Sequence, residues 1–96
     1  MIKMENTRNI IKTFIEMLQD ELTDEGKKIV EKLNNTIKRA DLRKNYYRLK
    51  IWKLLIELGN TGSEMKTAVD NLLSDLAQKW ENTMAKALDK GILPIQ

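Results

Sequence analysis

A chain of 96 residues has room for a single hydrophobic core, and its 42% apolar and 32% charged residues exclude a disordered polar tract. With neither Cys nor His, disulfides, thiolate or imidazole metal centres and histidine-dependent triads are excluded by inventory. The net charge of +3 is unevenly spread: residues 36–58 hold seven basic and two acidic side chains, for +5, whereas 1–35 and 59–96 are each at −1.

The first helix is expected over about residues 4–21. Ile10, Ile11, Phe14, Ile15, Leu18 and Leu22 recur at spacings of three and four, which places them on one stripe. In "LTDEGKK", Thr23 suits the cap of a second helix over 24–38, with Asp24 and Glu25 favourable in its first turn. Ile29, Val30, Leu33 and Ile37 form its inward face. Where it ends is less sharply marked. Asn34-Asn35-Thr36 can turn, Asp41 can cap the next helix, or one helix can run unbroken from 24 to 58; a break or bend between Asn34 and Asp41 is the favoured reading.

The third helix is expected over 41–58, with Gly59 as a left-handed cap just past its last periodic Leu. Ser63 and Glu64 open a fourth helix over 64–89, striped by Met65, Val69, Leu72, Leu73, Leu76, Trp80, Met84 and Leu88. Residues 91–96 form a short apolar tail. No segment alternates as a half-buried strand does. The expected fold is therefore all-α: one domain over 1–96, an up-down bundle of three or four helices, with the second and third fused in one version. A fused version leaves too few internal partners for its apolar surface and favours a homodimer.

The functional information concentrates in "RADLRKNYYRLKIWK", residues 39–53. On a continuous helical wheel, Ile37, Ala40, Tyr47, Ile51, Leu54, Leu55 and Leu58 make a core arc. Arg39, Arg43, Tyr46, Lys50 and Lys53 follow at spacings of four, three, four and three, one stripe of four cations and an aromatic ring. Leu42, Leu49, Trp52 and Ile56 make a second apolar arc beside it. Such a stripe can track a phosphate backbone while Tyr46 stacks on a base, or it can be a solvated face paired with Asp20, Glu21, Asp70 or Asp75. Trp52 beside these cations has the composition of a protein-contact hot spot, whereas an inward Trp52 packs in the core with its N–H bonded.

Chemistry has little to work with. Asp20–Glu21 and Asp24–Glu25 lie at helix ends, where capping accounts for them, and no phosphate-binding Gly loop or activated Ser is present. The segment "LLSDLAQKW" resembles the closing helix of the N-terminal helical bundle of transcription elongation factors; the likeness stops at those residues, and no function is carried over from it. No catalytic residue, cofactor, metal or small-molecule substrate is expected. The N-terminus lacks the apolar core of a signal peptide, and the longest apolar run is three residues, Leu54 to Ile56. The cytoplasm and no membrane contact follow as expectations. The leading functional expectation is a small regulatory adaptor, of the kind found in virus, plasmid or host-defence systems, acting through a protein partner or self-association. The alternative is a nucleic-acid-binding bundle. Arg39, Arg43, Tyr46, Lys50, Lys53 and Trp52 are the contact residues in either case, with the 92–95 tail as a second patch.

Overall fold

The structure of the protein is a computed structural model, and it describes residues 2–80, with side chains from residue 7 onward. Four helices follow one another: α1 (Ile2–Met17), α2 (Asp24–Arg39), α3 (Asn45–Gly59) and α4 (Ser63–Lys79), with a 3₁₀ turn at Gln19–Glu21 between the first two. The all-α bundle is as the apolar periodicity predicts, and no strand occurs among the described residues. Residues 84–96, including Met84, Leu88 and the apolar tail, lie outside them.

Connections of a few residues force consecutive helices to reverse. The α1–α2 and α3–α4 turns accordingly meet at one end, where Glu21, Thr23 and Thr61 line a shared recess. At the other end, α3, the α2–α3 turn and Trp80 come together through Arg48. One core joins the stripes of all four helices, with Ile11, Leu33, Leu42, Ile51, Trp52, Leu55, Leu58, Leu73 and Leu76 wholly buried. α3 packs most extensively, against α4 on one side and α2 on the other, while α1 makes lighter contacts. This central place explains the two apolar arcs of α3. Leu42, Ile51, Trp52, Leu55 and Leu58 are buried within the chain, while Tyr47, Leu49, Leu54 and Ile56 are half-buried at the edges of the arcs.

The helix ends show where local chemistry decides. Thr23 caps α2 as expected: its Oγ1 accepts the Gly26 N–H at 3.0 Å, satisfying one of the first-turn donors. Asn34-Asn35-Thr36 does not turn; α2 runs through it, and the Thr36 hydroxyl donates back to the Lys32 carbonyl at 2.9 Å. The break falls at Ala40–Lys44 instead. Asp41 makes it, without capping α3, by accepting the Arg43 N–H at 3.1 Å two residues on. The unbroken helix over 24–58 is thereby excluded, and with it the argument for a dimer that rested on it.

Gly59 corrects another expectation. It is the last residue of α3, not a left-handed cap, and Asn60 follows at φ −85°. What glycine provides is room for α4: a Cβ at Gly59 would lie 3.3 Å from both Cβ and Cγ1 of Val69. Ser63 is the first residue of α4, not its cap, since Gly62 takes that place. At the far end of α4, residues 81–89 of the expected helix lie outside the described residues. The helix stops at Lys79, and Trp80 leaves it with φ −117° and ψ 58°, buried against the core.

Candidate functional site

The break at Ala40–Lys44 rearranges the cationic stripe. Arg39 belongs to the last turn of α2, Arg43 to the α2–α3 turn, and only Tyr46, Lys50 and Lys53 lie on α3 itself. The straight four-cation stripe on one helix is therefore replaced by a corner. Within α3 the spacing of four and three holds: Tyr46, Lys50, Lys53 and Glu57 are all exposed along one outer face. Glu57 closes that face with the opposite charge.

Trp52 is not part of the surface. It is 0% exposed between the helices, and its indole N–H has no hydrogen-bond partner among the described residues. The Trp52 contribution to a protein-contact hot spot is thus removed by burial: a side chain this large, offset from the Lys50–Lys53 row, is driven into the core. The bonded N–H expected for a core Trp52 is missing as well.

Two arginines that residue spacing does not single out are half-buried and committed to the fold. Arg8 on α1 donates to the carbonyls of Ile37 and, at 3.1 Å, Ala40. It thereby satisfies carbonyls that the end of α2 leaves without helical partners. Arg48 on α3 donates through Nε to the Leu42 carbonyl, and its guanidinium lies 5.5 Å from the Trp80 ring centroid. Burial lowers the Arg48 pKa from its ordinary value. Both side chains act as fasteners for the α2–α3 corner. Nothing in an Arg on an amphipathic helix marks it for this in advance; the signal would have been the carbonyls of a helix ending without Gly or Pro.

What remains outside is a cationic corner. Arg43 is held against Asp41, with Nε to Oδ1 at 3.0 Å and a guanidinium N–H to Oδ2 at 3.2 Å. That hydrogen bond lowers the Asp41 pKa and raises that of Arg43. Tyr46 is 66% exposed. Its ring meets Tyr47 edge-on at 5.1 Å, and Lys50 Nζ stands 5.6 Å from its centroid. Lys38, Arg39, Lys44, Lys50 and Lys53 are exposed and make no ion pair among the described residues. The acids that could have neutralised them are elsewhere: Asp70 pairs with Lys66 one helical turn away, and Asp20 and Glu21 sit at the opposite end of the bundle.

A second surface feature lies away from this corner. Between α1 and α4 an open groove of about 660 Å³ is lined by Ile10, Phe14, Met17 and Leu72, flanked by Asp75 and Lys79. No cluster of acidic side chains that could hold a metal ion occurs among the described residues, and none of their helices is long and apolar enough to cross a membrane. The fold and surface define a small all-α bundle with one cationic corner and one apolar groove. Compared with family models, curated proteins and solved structures, the chain has no significant match.

Proposed function

We propose that the protein is a small non-enzymatic binding module that holds the phosphate backbone of a nucleic acid on its cationic corner. The observation that carries this reading is the set of exposed cations with no ion pair among the described residues: Lys50 and Lys53 on the face of α3 that bears the exposed Tyr46, and Arg39 and Lys44 at either side of the α2–α3 turn. A solvated structural face would spread its Asp and Glu among its Lys and Arg. Here Asp41 is consumed by the turn, and Glu57, one turn beyond Lys53, makes no ion pair among the described residues and leaves the corner in cationic excess. Helix geometry places Tyr46, Lys50 and Lys53 over roughly 10 Å of α3, at ~1.5 Å per residue, a span on which adjacent cations can meet successive phosphates. A base stacking on Tyr46 would displace Lys50 from the ring toward the backbone. Contacts of this kind fix position and carry little sequence information.

The second reading is a regulatory adaptor that works by protein contact. The α1–α4 groove favours it, because an apolar recess beside the exposed Met17, at 75%, has the character of a contact surface. Capture of tagged protein from source lysate, with and without nuclease, separates the two. Co-purifying nucleic acid that nuclease removes, together with everything bound through it, supports the backbone reading. A protein retained at full yield after nuclease, and lost on substitution of Met17, supports the adaptor.

A further inference from the structure

We infer that the α1–α4 groove is filled by a second copy of this chain, related to the first by a twofold axis. The inference rests on the groove alone and stands whether or not the cationic corner binds nucleic acid. Its floor is apolar, with Ile10 and Phe14 half-buried, Leu72 beneath them and Met17 reaching outward. Such a floor loses little by staying open and gains by being covered, at about 25 cal/mol per Å² of apolar area.

The chemistry of the walls selects the occupant. A twofold contact requires a surface complementary to itself, every donor finding an acceptor and every charge its opposite on an identical patch. Asp75 and Lys79 stand one helical turn apart on the α4 wall, with opposite signs and no ion pair between them or to any other described residue. A twofold axis passing between them sets Asp75 of one copy against Lys79 of the other, twice. Asn9 and Asn71 line the same groove, and an amide both donates and accepts, so each can meet either a donor or an acceptor across the contact without stranding a polar group. Ala68 and Thr13 are small enough to let two helices approach.

Charge over the whole molecule points the same way. Copies carrying +3 each repel, most strongly where the unpaired cations of the α2–α3 corner would meet. The groove wall is balanced by Asp75 and Lys79, so two copies approaching there meet no excess of like charge. A dimer formed there leaves both cationic corners outside.

Sedimentation velocity of the full chain across a concentration series tests this, with Met17→Lys as the decisive variant. Met17 is exposed and lies at the end of α1, where a cation is favourable to the helix, so the bundle stays folded by circular dichroism. The expected result is a monomer–dimer equilibrium whose midpoint Met17→Lys moves to at least about ten-fold higher concentration. Lys50→Ala with Lys53→Ala should leave that midpoint in place while weakening oligonucleotide binding, so the two proposals fail separately. A chain that stays monomeric up to about 1 mM, or a dimer indifferent to Met17→Lys, overturns the inference. A groove shielded in the monomer, by the remainder of the chain or by a different protein, does so too.

Discussion

Ile51, Trp52, Leu55 and Leu58 of α3 are wholly buried, while Tyr46, Lys50, Lys53 and Glu57 of the same helix stay exposed. The inner residues sit in the core that α3 shares with α2 and α4, whereas the outer ones face away from it. The consequence is a division of labour along fifteen residues. Substitutions on the inner face are expected to act on stability. On the proposed function, substitutions on the outer face are expected to leave the fold intact and to act on binding.

The largest expected effect is on the inner side. Trp52→Ala removes a large, fully buried ring and should destabilise the bundle by about 3–5 kcal/mol, a large share of what a domain of this size possesses. Trp52→Phe sharpens the point. It loses some buried area but also removes an indole N–H that has no partner among the described residues, and leaving such a group buried costs about 1–3 kcal/mol. Its net effect should stay below about 1.5 kcal/mol in chemical denaturation. A phenylalanine variant as unstable as the alanine one would show that the N–H is satisfied after all.

Arg48→Lys comes next. It keeps the charge but not the planar group that bonds the Leu42 carbonyl and covers Trp80, and should cost about 1–2 kcal/mol. Gly59→Ala pushes a methyl against Val69 at 3.3 Å. Alanine gains helix propensity, but Val69 is stiff and buried, so a net loss of about 1 kcal/mol is expected in thermal unfolding. Lys50→Ala and Lys53→Ala should each change stability by less than about 0.5 kcal/mol. A destabilisation comparable to that of Arg48→Lys would break the contrast between the two faces.

Much of this architecture is legible in the residues because apolar spacing is a local signal. The α2 stripe and the Met65–Trp80 part of the α4 stripe are buried where periodicity places them, while on α1 Ile11 and Ile15 are buried and Ile10, Phe14, Leu18 and Leu22 half-buried. Thr23 announces its helix start by chemistry that needs no partner from elsewhere. The misses are non-local. A wheel drawn over residues 37–58 assumes one helix, and the five residues Ala40–Lys44 rotate Arg39 and Arg43 away from the α3 row. Whether Trp52 faces a partner or the core depends on α2 and α4 both being present, which its neighbours in sequence do not reveal. Gly59 is read as a backbone device, but the constraint on it comes from Val69 across the α3–α4 turn. Arg8 and Arg48 satisfy carbonyls 29 and six residues away in sequence. The outer face of α3, by contrast, is readable from the spacing of Tyr46, Lys50 and Lys53 alone, which are exposed along one side of a single helix.

The cationic corner is tested most directly by titrating labelled duplex and single-stranded oligonucleotides with the protein at several salt concentrations. Arg39, Lys44, Lys50 and Lys53 engaged on phosphates predict a slope of log affinity against log salt of roughly −3 to −4 on duplex DNA, and somewhat shallower on single strands. Lys50→Ala with Lys53→Ala should flatten the duplex slope by about two, and Tyr46→Ala should weaken single-stranded binding selectively. Failure to bind either oligonucleotide below about 100 μM in low salt, or binding that the Lys50 and Lys53 substitutions leave unchanged, would contradict the account.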